Sequence, residues 1–488
     1  MIEVLSVASE AWPLIKTGGL ADVTGALPGA LARHDVRMRT LLPGYPEVMG
    51  ALEAGETVRD YGSFFGGPAR LVMGRAGGLD VVALDAPHLF ARAGNPYLGP
   101  DGKDWPDNWR RFAALSFAAY DIGSGSIEPL APEILHCHDW QAALAPAYVR
   151  FDGGASAKTI LTVHNIAFQG LFGWDIFNEL RLDFRAAHES TIEYYGLINY
   201  LKVGLLSADR LTTVSPTYAR EIRTQAHGMG LDGVLTARAD ALTGILNGID
   251  EAVWDPRTDR ALHTQYGHNA LDLRQGNRRA LELRFGIDDT PGPLFSVVSR
   301  LTLQKGLDML VAVVDDLVAA GGKLVVLGSG DTEIENGFAG AALRHPGKVG
   351  FVRGYDEPLS HLVQGGADLM LVPSRFEPCG LTQLYALRYG CVPLVSRVGG
   401  LADTVIDANE AAIEAGVATG IVFAPAEAEA LREAILRAVR LYGFSRVWRK
   451  MQRRGMKSDV SWDLSAEKYA TLYRSLLGVK QEDDDQDD

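Results

Sequence analysis

Cysteine is scarce in this chain: Cys137, Cys379 and Cys391 are the only three in 488 residues. An odd, widely spaced set offers no disulfide framework and no zinc-like spacing, so reduced thiols in a cytoplasmic protein are expected. Long apolar runs are missing too. No stretch approaches the ~20 residues that span a bilayer, and no basic segment precedes an apolar one at Met1-Ile2-Glu3-Val4. Neither a membrane partner nor a secretory leader is expected. Positive charge is in deficit: 47 Lys and Arg stand against 61 Asp and Glu, a net charge of −14. Such a surface repels phosphate backbones, which argues against nucleic acid as a partner. Six of the acids fall in the last eight residues, Gln481 to Asp488, which read as a disordered acidic tail.

What remains is the composition of an ordinary globular protein, 47% hydrophobic and 22% charged, long enough for two or three domains. Short apolar strands alternate with helical patterns, which predicts an α/β protein with parallel sheets. In the first half, strands are expected near 2–8, 37–42, 80–84, 134–137, 159–163 and 210–214, with a last one running through 242–250. A polar stretch from Trp254 to Asn269 reads as the linker. Strands at 294–299, 323–327, 348–352, 369–372, 392–396 and 420–423 follow. Each half thus reads as its own Rossmann-like, doubly wound sheet, 1–250 and 251–455, facing each other across a cleft. A C-terminal helix within 456–480 carries the stripe Trp462, Ala466, Tyr469, Tyr473 and Leu476. It packs either on its own domain or back across the first. In doubly wound sheets ligands sit at the carboxyl ends of the strands, and the polar residues of this chain collect there.

The first such segment is Lys16-Thr17-Gly18-Gly19-Leu20, between the first strand and a helix with apolar Leu20, Val23, Leu27 and Leu31. The Gly18–Gly19 pair lets backbone approach an anion. The helix start offers unpaired N–H groups and Lys16 a mobile charge. The segment is neither a dinucleotide fingerprint nor a phosphate loop.

In the second half, the strand at 294–299 runs into Arg300-Leu301-Thr302-Leu303-Gln304-Lys305-Gly306. Two cations five residues apart suit a diphosphate, arginine through its planar fork and lysine as a point charge. A glycine turn, Gly328-Ser329-Gly330, follows the next strand. The strongest segment is Pro373-Ser374-Arg375-Phe376-Glu377-Pro378-Cys379-Gly380-Leu381-Thr382-Gln383, between a strand and a helix ended by Gly390. Pro378 is expected in the first helical turn, where its missing N–H costs nothing. The N–H groups of Cys379, Gly380, Leu381 and Thr382 then meet oxyanions, and Glu377 accepts from sugar hydroxyls. A Glu377 that merely caps its own helix is the alternative.

His136-Cys137-His138-Asp139-Trp140 and His164-Asn165 also end strands. Alternation sends His136 and His138 to one face, but further metal ligands are missing nearby, so no metal is expected. Strand-end residues that bind substrate hydroxyls explain the pattern more simply, with His164 best placed for a direct catalytic contact.

Together these segments resemble the bacterial glycogen synthases and plant starch synthases, retaining glycosyltransferases of the GT-B type. The likeness is carried by Lys16 to Val23, His136 to Trp140, Val163-His164-Asn165, Asn247-Gly248-Ile249-Asp250, Arg300 to Gly306 and Glu377 to Leu381, in order, and runs from Ile2 to about Leu477. It implies transfer of glucose from ADP-glucose to the non-reducing end of an α-1,4-glucan such as glycogen. By motif match, Lys16, Gly18, Gly19, Arg300, Lys305, Leu381 and Thr382 hold the ADP phosphates, and Tyr355 packs on the adenine. Glu377, His164 and Asp139 take the catalytic positions; Asn165, Asn247, Cys379 and Gly380 surround the glucose. Many related two-domain enzymes carry a second glutamate eight positions after the first. Here that position is Tyr385, as in the bacterial-type synthases.

The physical task follows without the family. Cleaving a glucose–phosphate bond leaves positive charge on the ring and negative charge on the diphosphate. Side-chain cations and helix starts serve the latter, and no cofactor is expected. A glucan phosphorylase of similar shape needs pyridoxal phosphate on a lysine, for which no segment is evident. A nucleotide- or glucan-binding module without turnover is the non-enzyme alternative.

Overall fold

The structure, a computed structural model, describes residues 1–188 and 190–479. The acidic tail expected at 481–488 lies outside the described residues. The chain divides into two compact units, Met1–Asn247 with Trp462–Asp488, and Gly248–Ser461.

The sheet of the first unit contains β1 (Ile2–Val7), β2 (Val36–Pro43), β3 (Glu53–Phe64), β4 (Gly67–Ala76), β5 (Leu79–Asp85), β6 (Ile134–His138), β7 (Lys158–Val163), β11 (Arg210–Thr213) and β12 (Leu242–Gly244). A small separate sheet is made by β8 (Leu171–Phe172), β9 (Glu193–Tyr194) and β10 (Leu197–Asn199). The main order is β12-β11-β7-β6-β1-β2-β5-β4-β3. Chain direction reverses its progress between β1 and β6, so the loops after β1, β6 and β7 gather at a topological switch point.

An all-parallel sheet was expected, and the edge corrects that expectation. β4 runs antiparallel to β5, and β3 antiparallel to β4. Nearly every residue of β3 is exposed or half-buried, so the strand has no apolar alternation to read. The expected strand through 242–250 also stops early, at Gly244, where a Cβ would come within 2.3 Å of the Ser215 carbonyl oxygen.

The C-terminal helix Asp463–Leu477 belongs to this first unit. Ala466, Tyr469 and Tyr473 are fully buried against Val23, Leu27 and Leu31 of the helix Gly19–Leu31, and Trp462 joins the cluster. Burying each such aromatic contributes roughly 2–3 kcal/mol. The Tyr473 hydroxyl also lies 2.8 Å from Nδ1 of His136.

The second unit holds β13 (Leu294–Val298), β14 (Lys323–Gly328), β15 (Val349–Arg353), β16 (Leu369–Val372), β17 (Val392–Ser396) and β18 (Ile421–Phe423). Every pairing is parallel, in the order β15-β14-β13-β16-β17-β18. The strands are mostly apolar because helices cover both faces. The switch point falls between β13 and β16, whose following loops carry Arg300–Lys305 and Glu377.

The stretch from Trp254 to Asn269 is not a free linker. Trp254, Leu262 and Tyr266 are buried in the second unit, packed with Leu384, Leu387 and Tyr389. The Trp254 ring stacks on His361 at 3.8 Å and on Tyr385 at 3.7 Å. Its apolar residues are spaced irregularly among polar ones, and neither helical nor strand periodicity reveals that they are core.

Candidate active site

At the switch point of the second unit, two loops are tied together. Gly306 has φ +67°, and a Cβ there would come within 2.0 Å of the Pro373 carbonyl oxygen. Only glycine allows that approach. The Arg375 guanidinium forms a bidentate pair with Asp308 at 2.6 and 2.7 Å and also donates to the Leu303 carbonyl. The Arg375 amide donates to the Gln304 carbonyl at 2.9 Å. This brings Lys305 Nζ to 2.6 Å from Glu377 Oε2, which also accepts from the Ser374 hydroxyl at 2.8 Å. Glu377 is buried and Lys305 half-buried. Arg300, five residues before Lys305, is exposed, and no side-chain partner engages it among the described residues.

Beyond Glu377 the expected geometry needs a correction. The helix begins at Thr382 with Leu381 as N-cap, so Pro378 lies outside it. Gly380 takes φ +74°, which breaks any helical run upstream. The N–H groups of Cys379 and Gly380 are therefore not part of a helical turn. No side chain caps the helix, which leaves its first-turn N–H groups for a ligand. Gln383 instead turns back and donates to the carbonyls of Cys379 and Gly380. Gly399 and Gly400 press against the other side of the loop; the Gly400 amide donates to the Glu377 and Pro378 carbonyls at 3.1 Å. Glu377 does not cap its own helix. Tyr355, after β15, keeps an exposed ring, with its hydroxyl on Glu357.

In the first unit, Gly18 is the N-cap of the helix Gly19–Leu31, again with no side-chain cap. A Cβ on Gly18 or Gly19 would meet nothing within 4 Å, and neither has positive φ. No packing or backbone constraint inside the protein demands glycine at either position. Lys16 pairs with Asp22 at 2.7 Å. The loop is held by Glu10, a buried carboxylate that accepts from the Thr17 amide and hydroxyl and from the Tyr97 hydroxyl. Sequence reasoning missed Glu10; its only signal was a carboxylate directly after an apolar strand.

At the ends of β6 and β7, Asp139 adopts φ +55°, a conformation Asp tolerates better than most residues. Its Oδ1 accepts from the His164 amide at 2.7 Å and the Asn165 amide at 3.4 Å, which fixes the β7 turn. Burial raises its pKa to about 7 despite these bonds. Burial lowers His164 to about 3, so its imidazole is neutral at working pH. The Asn165 side chain accepts from the Ala167 amide. Asn247 Oδ1 is buried with no partner among the described residues. His136 is engaged on both nitrogens, by Tyr473 and Thr162. Among the described residues no group of three or more His, Cys, Asp or Glu is placed to hold a metal ion.

The described helices include none long and apolar enough to cross a membrane. Two families match the chain: the starch synthase catalytic domain over residues 3–237 and the glycosyl transferases group 1 over residues 284–454. Among curated relatives, glycogen synthase 1 of Rhizobium meliloti (strain 1021) is 56% identical over 98% of this chain and 99% of its own length. The glycogen synthase of Rhodopseudomonas palustris (strain HaA2) is 54% identical over the same shares. Among solved structures, the catalytic domain of starch synthase IV from Arabidopsis thaliana, bound to ADP and acarbose, superposes with a TM-score of 0.85 at 31% identity, covering 98% of this chain and 99% of that one. Sucrose-phosphate synthase from Thermosynechococcus elongatus, at 18% identity and a TM-score of 0.58, covering 98% of this chain and 100% of its own, shares the fold alone. With two Rossmann-like units, strand-end cations in the second and full-length likeness to these enzymes, the chain belongs to the glycogen synthase family of GT-B glycosyltransferases.

Proposed function

We propose that this enzyme transfers glucose from ADP-glucose to the non-reducing end of an α-1,4-glucan, with retention of anomeric configuration, in the cytoplasm. The observation that carries the reading is the Lys305–Glu377 pair, with Arg300 on the same loop as Lys305 and Glu377 on the loop that leads into the uncapped helix Thr382–Tyr389. A nucleoside diphosphate leaving group needs cations and N–H donors, and a glucosyl ring that develops positive charge needs a carboxylate. Both lie within one pair of loops.

In this reading Arg300, Lys305, Leu381 and Thr382 bind the diphosphate and stabilise the charge it gains as the glycosidic bond breaks. One such donor in a closed site is worth about 3 kcal/mol, roughly a hundredfold in rate. Lys16 and the Gly18–Gly19 backbone bind phosphate oxygens; the open space around both glycines supports this. Glu377 and the loop amides of Cys379 and Gly380 hold the sugar. Asp139, His164, Asn165 and Asn247 contact glucose hydroxyls. The exposed Tyr355 ring receives the adenine.

A donor comparison tests the proposal. ADP-glucose and UDP-glucose are supplied separately with glycogen, and nucleoside diphosphate release and glucan growth are followed. Glycogen-dependent ADP release with matching glucan growth is expected. Faster turnover of UDP-glucose reverses the donor assignment, and binding without turnover of either removes the synthase reading.

A further inference from the structure

A chain of three buried side chains runs from the middle of the first unit's sheet to the end of β7. Ser6 Oγ lies 3.1 Å from His138 Nε2, and His138 Nδ1 lies 3.0 Å from His164 Nε2. Ser6 and His138 are fully buried and His164 is 9% exposed. Burial holds both imidazoles neutral. A neutral imidazole has one N–H and one lone pair, so the chain has only two self-consistent directions.

In one direction Ser6 donates to His138 Nε2, His138 Nδ1–H donates to His164 Nε2, and the His164 proton sits on Nδ1. Every donor between the three side chains then has an acceptor, and the remaining one, His164 Nδ1–H, is not among the fully buried atoms without a partner. In the other direction His164 Nε2–H donates to His138, His138 Nε2–H donates to Ser6, and the Ser6 proton has nowhere to go. No second hydrogen bond is available to that hydroxyl among the described residues. Thr40, level with Ser6 across the β1–β2 pairing, makes no hydrogen bond to it: its hydroxyl oxygen has no partner. A buried unsatisfied donor costs more than a made bond gains, so the first direction wins. The His164 main chain is fixed independently by Asp139, and among the described residues nothing lies within hydrogen-bond distance of its Nδ1.

We propose that Ser6 is a positioning residue that, through His138, fixes His164 as the Nδ1–H tautomer, so that His164 presents a hydrogen-bond donor rather than a base to an oxygen of its ligand. That the oxygen is a sugar hydroxyl rests on the function proposed above; the tautomer does not.

The test uses the full-length protein labelled with 15N-histidine and long-range 1H–15N correlation at neutral pH, without substrate. His138→Gln and His164→Gln assign the two signals. Both histidines are expected in the Nδ1–H form; His164 found as Nε2–H overturns the proposal. In Ser6→Ala the His164 signal is expected to move toward the other tautomer, with restoration in Ser6→Thr. An unchanged tautomer in Ser6→Ala overturns the role of Ser6. In transfer assays Ser6→Ala is expected to lower kcat about tenfold with little change in KM, again rescued by threonine. A changed tautomer with unchanged kcat overturns the donor role of His164 in transfer. Failure of the donor comparison with the expected tautomer intact removes the functional reading alone.

Discussion

Lys305 Nζ and Glu377 Oε2 stand 2.6 Å apart, on loops that follow two different strands. The pair sets the lysine proposed to meet the diphosphate against the carboxylate proposed to face the sugar.

Removing one partner separates structure from chemistry. Lys305→Ala is expected to lower turnover about a hundredfold and also to cost stability, because the buried Glu377 retains only Ser374. Lys305→Ala combined with Glu377→Gln is expected to recover melting temperature but not activity. Near-normal turnover in Lys305→Ala, read by ADP release, would speak against the diphosphate role.

Arg375 holds the two loops together through Asp308 and two main-chain carbonyls, so its loss is expected to misplace Lys305 relative to Glu377. Arg375→Lys keeps the charge but loses the fork. A fall in kcat/KM of about tenfold is expected, with melting temperature little changed because the pair is half-exposed. Asp308→Asn should reproduce the effect, and the double variant should be no worse than either single one. Fully additive losses would show that the two do not act as a unit.

For Asp139 the folded pKa is raised to about 7, by burial, from an unfolded value near 3.8. Folding therefore prefers the protonated acid, and the stability this gives is lost as pH rises toward 7. Asp139→Asn keeps an oxygen for the His164 and Asn165 amides and removes the charge. Relative to the native chain its melting temperature should rise between pH 4 and 7 and level off above, while transfer activity falls. A loss of stability at pH 8 would overturn the burial account.

His361 gives the opposite trend in the second unit. Burial alone would lower its pKa, but the hydrogen bond to Asp259 and the nearby Glu357 carboxylate lift it to about 9, above the unfolded value of 6.5. Its contribution to stability is complete below pH 6.5 and is lost as pH rises through 9. Denaturation midpoints should fall over that window, and His361→Gln should flatten the decline while lowering the midpoint at pH 6. An unaltered slope in the variant would assign the decline to other groups.

Much of this was legible in the chain itself. Alternating apolar strands gave the two sheets because buried parallel strands must be apolar on both faces. The motif residues marked strand ends because loops there need glycine and offer free polar groups. β3 was not legible, since an exposed edge strand carries no buried face to pattern. Nor was the packing of Trp254, whose partners His361 and Tyr385 lie more than a hundred residues away.

The order of residues thus determined which segments become strands and helices, and which polar groups those segments carry to their ends. Tertiary structure alone decided which groups meet: that Arg375 clamps Asp308, that Lys305 neutralises Glu377, and that Ser6 reaches His164 through His138. The reason is that local propensity acts over a few neighbouring residues. A hydrogen bond between buried side chains depends on register and layer packing that only the assembled sheet supplies.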